Sequence, residues 1–505
     1  MSAMGRCNKH FDYLLGLQSV NTEIELKLEV DPGDLTLVRQ DPLLAHVDSR
    51  SNHQLTVYYD TLKTKLKKHG FELRVRSAGG RFVQTVKSIT DSVGLVSREE
   101  IECEVASIEP DLSSLSLHPI RALVSDDAID RLQEVVRSEV NRTTWRVDRR
   151  NGQLQVDLDH GTVSAGGRCA EFAELELELC DGPPASLIVA ARQLADRVPI
   201  RLGVLTKAER GSLLARNTLG KITKAAPVRV NSDMTVAEAF QVIVHACLKQ
   251  YRLNEPLVIR ECKTGALHQA RVAMRRLRSA LTLFRPAIED VEFQHLQHEL
   301  RWFTKQLGEA RNLDVILERN LDEQQRARLI RKRERAYEHV ADTMNSHKFR
   351  RLLIDLVGWA AIGSWRSGKL ASRSVESLAT RRLDRLWKSI TAAGRDLSAM
   401  DELTRHELRI QAKKLRYALE FLRGLYPHAH ATEKCLAIAV GELQESLGKL
   451  NDMATAKTLA AAPAEEGWLI GSFEERRHLL AAEDALRDLL RAGPFWHAHE
   501  ELEPG

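Results

Sequence analysis

Charged and aliphatic residues alternate one for one along several short stretches of the first 180 residues. In Glu23-Ile24-Glu25-Leu26-Lys27, a strand would place Glu23, Glu25 and Lys27 on one face and Ile24, Leu26 and Leu28 on the other. The same alternation returns in Arg74-Val75-Arg76, in Arg98, Glu100 and Glu102, and in Asp157-Leu158-Asp159. It returns again in Glu174, Glu176 and Glu178, set between Leu175, Leu177 and Leu179. Gly79-Gly80, Asn151-Gly152 and Gly166-Gly167 supply turn signals between strands. Asp126 to Ser138 and Pro184 to Arg197 read as helices that cover the outer face of the sheet. One charged strand face is ordinary where it meets water. Several such faces, carrying both signs, predict a sheet whose polar sides meet around an enclosed, charged channel. Such a channel suits a substrate rich in negative charge, held by protein cations and metal ions.

The pattern breaks between residues 217 and 231, around Lys221, Lys224 and Pro227, and Ser232 or Asp233 is expected to cap the next helix. Helical periodicity then runs almost to the end and contains a repeat. His268-Gln269-Ala270-Arg271 continues to Arg275, Arg276, Leu277 and Arg278; His406-Glu407-Leu408-Arg409 continues to Lys413, Lys414, Leu415 and Arg416. Each is followed by a related motif, read as a turn or cap: Leu307-Gly308 through Asp314, then Leu447-Gly448 through Asp452. The duplication predicts two helical bundles of four helices each.

On a helix, His268, Arg271, Arg275 and Arg278 fall within an arc of roughly 80°. Met274, Leu277, Leu281 and Phe284 oppose them. His406, Arg409, Lys413 and Arg416 form the matching stripe, opposed by Leu408, Ala412, Leu415 and Leu419. Like charges at i,i+4 repel. Two unneutralised stripes therefore point to anion binding.

At 505 residues, two or more domains are expected. Hydrophobic content of 43% and charged content of 29% describe a globular protein. The apolar stretch Leu352–Trp365 is short and contains Asp355, which argues against a membrane span. Residues 1–22 lack the pattern of a secretory signal. Seven scattered cysteines fit a reduced, cytoplasmic setting. The net charge of +4 is mild, so polyanion binding must come from where the basic residues sit. With aromatics at 5%, and only Tyr417 within a stripe, stacking on nucleic-acid bases has little support.

The strand signature resembles the Glu-x-Glu-x-Lys motif of the CYTH superfamily, the triphosphate tunnel enzymes. Further landmarks follow in that family's order: Tyr58-Tyr59-Asp60-Thr61, Leu73-Arg74-Val75-Arg76, Gln84-Thr85-Val86-Lys87 and Arg142-Thr143-Thr144-Trp145. Asp159-His160-Gly161, Glu174 through Glu178, and Thr206-Lys207-Ala208-Glu209-Arg210-Gly211 complete the series. The His-x-x-Arg stripes are similar to the CHAD domain, a helical module associated with polyphosphate. The whole resembles bacterial CYTH–CHAD proteins, whose usual assignment is inorganic triphosphatase.

That resemblance implies an α+β multidomain chain. An eight-stranded antiparallel barrel with flanking helices would occupy residues 23–216, after a leader at 1–22. A linker at 217–231 would precede an all-α region at 232–505, with repeats at about 232–375 and 376–505. The implied metal ligands are Glu23, Glu25, Asp159, Glu174 and Glu176, around one or two Mg²⁺ or Mn²⁺ ions. Lys27, Arg74, Arg76, Lys87, Arg142 and Lys207 match positions that cradle triphosphate. Glu23, Glu25 and Lys27 would serve catalysis, an in-line attack of water on a terminal phosphorus. Both stripes, Arg276 and Lys414 included, would bind polyphosphate, with association with polyphosphate granules. Gln155 stands where a carboxylate is common in relatives, and Arg98 with Glu100 is readable as a structural ion pair. Two other readings stay open: a class IV adenylate cyclase or thiamine triphosphatase on the same barrel, and a non-catalytic polyphosphate binder. So many channel acids fit the last poorly.

Overall fold

The computed structural model describes residues 21–89, 93–114, 118–121, 124–318, 322–392, 397–459 and 465–497. The expected leader at 1–22 therefore lies almost wholly outside the described residues.

Nine strands form one antiparallel sheet: β1 (Asn21–Val30), β2 (Ser49–Asp60), β3 (Phe71–Ala78), β4 (Arg81–Ser88), β5 (Leu95–Val105), β6 (Gln133–Arg149), β7 (Gly152–Ala165), β8 (Arg168–Asp181) and β9 (Arg201–Leu202). Their order is β5-β4-β3-β2-β6-β7-β8-β1-β9, and β1 pairs with β5 as well. The ladder therefore returns to its starting strand after eight members. It is not a regular closed barrel. The β1–β5 seam holds from Asn21↔Glu100 to Leu26↔Leu95, after which β9 takes the same edge of β1 at Leu28 and Glu29.

Gly79-Gly80 and Gly166-Gly167 are two-residue hairpin turns, and all four glycines have positive φ. That geometry matches the primed turns favoured by strand twist. The helix expected over Asp126–Ser138 ends at Ile129, and β6 begins at Gln133. Val136, Ser138 and Val140 are buried while the residues between them are more exposed. This two-residue period is a strand's, and pairing with β2 and β7 overrides the local helical reading.

The aliphatic side of β1, β7 and β8 is buried: Leu26, Leu28, Val156, Leu158, Leu175 and Leu177. Helix α1 (Ala185–Arg197) lies over it with Leu187, Ala190, Ala191 and Leu194 inward, as the sequence led us to expect. Helix α2 (Lys207–Ala215) packs on β6, β7 and β8.

Beyond the sheet domain the described elements are helices: α3 (Val236–Glu261), α4 (Thr264–Ile288), α5 (Phe293–Gln306), α6 (Gly308–Leu317), α7 (Glu323–Asn345), α8 (His347–Ile362), α9 (Val375–Thr391), α10 (Glu402–Leu422), α11 (His430–Leu459) and α12 (Glu465–Ala492). The first helix is capped by Thr235, not Ser232 or Asp233: Thr235 and Glu238 each bond the other's backbone N–H. This capping box satisfies two donors at once.

The duplicated motif behaves differently in its two copies. At Leu307-Gly308 the helix breaks into α5 and α6, whereas Gly448 sits inside the continuous α11 rather than in a turn. The glycine keeps one relation in both. A Cβ on Gly308 would lie 3.7 Å from Arg271 Nη1, and one on Gly448 would lie 3.8 Å from Arg409 Nε.

By contacts the chain forms two compact units. One joins the sheet to residues 245–274 and 291–364; the other comprises 226–244, 275–290 and 365–505. The second has its own core, including Leu383, Leu408, Leu415, Phe421, Leu443 and Leu486.

Candidate active site

Strand register gathers the polar faces. Lys27 stands opposite Glu176, Glu176 opposite Asp157, Glu174 opposite Asp159, and Asp159 opposite Arg142. Gly161 makes the β6–β7 contact possible, because a Cβ there would fall 2.0 Å from the Glu139 carbonyl oxygen. Carboxylate oxygens of Asp159, Glu174 and Glu176 lie within 4.8 Å of one another.

Three cations interlock with these acids. Lys27 Nζ is 2.6 Å from Glu176 and 3.5 Å from Glu174. Lys207, the first residue of α2, contacts Glu174 and lies 2.8 Å from Asp159 Oδ2. Arg142 reaches Asp157 and Glu176, each at 2.7 Å, and grips Asp159 with two nitrogens. Burial alone would push the Lys27 ammonium down, but Glu174 and Glu176 hold it above its ordinary value. Burial also opposes charge on Glu176, yet Lys207, Lys27 and Arg142 keep its carboxyl well below the usual range. Asp157 goes the other way: burial outweighs Arg142 and raises it. Mutual neutralisation is what allows such a dense set of ionised groups under cover.

A second group lies on β3, β4 and β5. Arg74 Nη2 is 3.4 Å from Glu100, which also pairs with Lys87. Burial, with Arg74 nearby, lowers the Lys87 ammonium to about 8. Glu100 is thus partnered from β3 and β4; the side chain of Arg98 lies outside the described residues. Arg76 differs from every other cradle cation. It is half-buried, its Nε has no partner, and no described carboxylate lies within ion-pair distance. Repulsion from Arg74, with burial and Arg142, lowers its guanidinium to about 10.

Among the expected metal ligands, the side chain of Glu23 lies outside the described residues. Glu25 is half-buried, opposite Glu178 in the β1–β8 ladder and apart from the three-carboxylate cluster. The cluster suits a hard divalent cation, which prefers carboxylate oxygens. Glu174 Oε2 is buried with no hydrogen-bond partner, an acceptor such a cation would satisfy. Gln155 donates to both Asp157 and Glu178, at 3.3 and 3.2 Å, so a carboxylate there would face two others.

The helical stripes are partly reunited. Burial first, and then repulsion from Arg275, Arg409, Arg278 and Arg416, lowers the Lys413 ammonium to about 8. Arg416 donates to Gln444, and His406 pairs with Asn451 at 2.8 Å. Arg271 donates to the Leu307 carbonyl at 2.6 Å, and His268, on the same helix turn, is half-buried. Lys414 is half-buried beside Lys413. Arg276 does not join its neighbours. It is buried, 2.6 Å from Glu420 and over the Phe421 ring, because one residue's step turns it about 100° from Arg275.

Residues 21–212 match the CYTH domain family model, and residues 242–461 match the CHAD domain model. The chain carries a CYTH domain followed by a CHAD domain. A curated inorganic triphosphatase from Haemophilus influenzae is 29% identical over 196 residues, 38% of this chain and 54% of that protein. This chain therefore spans about half the length of that relative. The solved CHAD domain of the plant Ricinus communis is 28% identical, with a TM-score of 0.44, covering 54% of this chain and 97% of that one. A Hippeastrum protein described as having a dominant triphosphatase activity is 20% identical, with a TM-score of 0.32, over 40% of this chain and 97% of its own. No helix among the described residues is long and apolar enough to cross a membrane.

Two residues of the CYTH domain were noted in the sequence without their partners. Asp157 joins the Arg142 cluster and takes a 2.5 Å bond from Thr144; its alternation with Asp159 was the available signal. Glu100 joins Lys87 to Arg74, and nothing local to its strand pointed to those partners.

Proposed function

We propose that the CYTH domain hydrolyses inorganic triphosphate to pyrophosphate and phosphate with a divalent metal ion, Mg²⁺ or Mn²⁺, and that the CHAD domain binds polyphosphate. One observation carries the reading: the interlocked Asp159, Glu174 and Glu176 cluster together with Arg76, a cation with no ion-pair partner among the described residues. A channel that only captured anions would gain nothing from buried acids. One that only held metal would gain nothing from so many cations.

On this reading Asp159, Glu174 and Glu176, with Glu23 and Glu25 by resemblance, hold the metal, which would neutralise phosphate charge and polarise the reacting phosphoryl group. Arg76 offers an unmet guanidinium to the entering chain. Lys27, Arg74, Lys87, Arg142 and Lys207 exchange carboxylate partners for phosphate oxygens, so their charge needs little reorganisation when substrate binds. Lys27 and Lys207 are largely shielded from solvent, which strengthens their attraction for phosphate oxygens. A carboxylate released from its cation can accept the proton of the attacking water. In the CHAD domain the cluster around Lys413 provides the anion surface.

The test is phosphate release by the purified chain from inorganic triphosphate, thiamine triphosphate, ATP and long-chain polyphosphate, with Mg²⁺, Mn²⁺ or chelator. Metal-dependent turnover that prefers inorganic triphosphate is expected. Cyclic nucleotide and pyrophosphate from ATP, or silence on every substrate, would refute the proposal.

A further inference from the structure

We infer that Lys249 and Arg252 of α3 are positioning residues for Lys207 and Lys27, the lysines of the acid cluster, so that triphosphate capture depends on a helix outside the CYTH match. The inference rests on the reading of the acid cluster and its cations as a triphosphate site. Residues 245–274 and the sheet belong to one compact unit.

The first tether acts through α2. Thr206 caps this helix, and Lys207 is its first residue. Thr206 Oγ1 accepts from Glu209 N at 3.1 Å, while Glu209 Oε2 accepts from Thr206 N at 3.1 Å. The second oxygen of Glu209, Oε1, takes Lys249 Nζ at 2.6 Å. One carboxylate thus fixes the start of α2 and binds it to α3. The Lys207 ammonium projects from that start into the acid cluster, and Lys249 itself bonds outside the cluster.

The second tether acts through β1 and β9. Arg252 is buried. Its Nε donates to the Leu202 carbonyl at 2.8 Å, and its Nη2 donates to Glu29 Oε2 at 2.8 Å. Glu29 follows Lys27 by two residues, and its other oxygen accepts from Arg210 of α2 at 3.1 Å. Leu202 leads into Gly203, whose N–H donates to the Lys27 carbonyl at 2.9 Å. A Cβ on Gly203 would come within 2.5 Å of Lys27 Cγ, so this strand lies against the lysine with no slack. Arg252 therefore holds the chain on both sides of Lys27, and Lys249 holds the helix that carries Lys207.

Reacting groups displaced by an ångström lose large factors in rate or capture. An ion pair that merely glued α3 down would change melting temperature and little else. The experiment uses the full chain with Lys249→Met, Lys249→Arg and Glu209→Gln. Glutamine has one acceptor oxygen; with that oxygen on the Thr206 N–H the cap is kept, and the amide N–H₂, a donor, faces Lys249, so the tether is lost. Triphosphate KM and kcat with Mg²⁺, triphosphate affinity by calorimetry, and melting temperature are measured for each.

Lys249→Met and Glu209→Gln are expected to raise KM and weaken triphosphate affinity about tenfold. Their kcat should change less than about threefold, and Lys249→Arg should recover most of the loss. Parent KM and affinity in both variants would overturn the inference, as would losses that merely follow melting temperature. Wild type that binds triphosphate without turning it over would count against the hydrolase, while the affinities would still decide the tether. Wild type that does neither overturns both.

Discussion

Arg142 grips Asp159 at two points, Nε to Oδ1 at 2.6 Å and Nη2 to Oδ2 at 2.7 Å. Because its third nitrogen reaches Asp157 and Nη2 also serves Glu176, one guanidinium bonds three acids and helps hold Asp159 and Glu176 ionised. An ammonium is a single point of charge and cannot reproduce that fork. Arg142→Lys should lower kcat/KM for triphosphate by about 10²-fold or more, measured by steady-state kinetics. It should also cost about 3–5 kcal/mol of stability, the usual penalty for leaving buried charges unpaired. Asp159 and Glu176 have carboxyls depressed on folding. Their stabilisation is therefore present above the unfolded carboxylate range, about 4, and is lost as pH falls through the folded values. Without the fork those values rise, and the acid limb of the melting profile moves to higher pH. Parent kinetics in this variant would remove Arg142 from the site.

Glu174 is the acid on which metal binding should turn. It sits within reach of both Lys27 and Lys207, yet its Oε2 is buried and unbonded. Glu174→Gln keeps shape and removes charge. Titration with Mn²⁺, followed calorimetrically or by electron paramagnetic resonance, should show affinity falling about 10- to 100-fold, a loss typical of altered metal surroundings. Chelator should abolish turnover in the parent. Unchanged Mn²⁺ binding by the variant would move the metal site elsewhere.

Arg76 predicts a trade between stability and capture. Arg74, burial and Arg142 disfavour its charge, Glu176 offsets them only in part, and no described carboxylate lies within ion-pair distance. Arg76→Met keeps much of the side-chain volume and removes the repulsion. Without ligand, the variant should be more stable by roughly 1–3 kcal/mol, the scale on which a guanidinium lowered to about 10 measures its discomfort. Its triphosphate KM should rise at least about tenfold. A variant that melts lower and binds normally would make Arg76 a structural residue.

How much of this was legible in sequence depended on the range of the contacts. Lys27, Asp159, Glu174 and Glu176 announced themselves because a two-residue period fixes the face of a strand. The stripes were equally plain, since a 3.6-residue period groups Arg409, Lys413 and Arg416. What failed was local inference without partners. Gln133–Ser138 could have been helix until β2 and β7 paired with it. Arg276 was placed with Arg275 because both are basic, but its helical angle sends it to Glu420. The tethers at Lys249 and Arg252 join residues 40 and 223 positions from their acidic partners, beyond any periodic signal.

Lys413 supplies a prediction with opposite signs for binding and stability. Burial and the cations Arg275, Arg409, Arg278 and Arg416 lower its ammonium to about 8, from an ordinary 10.5. The unfolded chain therefore binds more protons between those values, and this residue's effect on stability without ligand improves as pH rises through the window. Polyphosphate affinity should do the reverse. The charged form binds the anion, so affinity should fall from pH 7 to pH 9, and the protein should take up protons on binding near pH 8. Calorimetry in two buffers of different ionisation enthalpy measures that uptake. Lys413→Arg, charged throughout, should flatten the pH dependence between 7 and 9. Lys413→Met should reduce the slope of log affinity against log salt by about one, as the loss of a single phosphate contact does. If Lys413→Arg retained the parent's pH slope, the titrating group would be another, and the five-cation cluster would not be the polyphosphate surface.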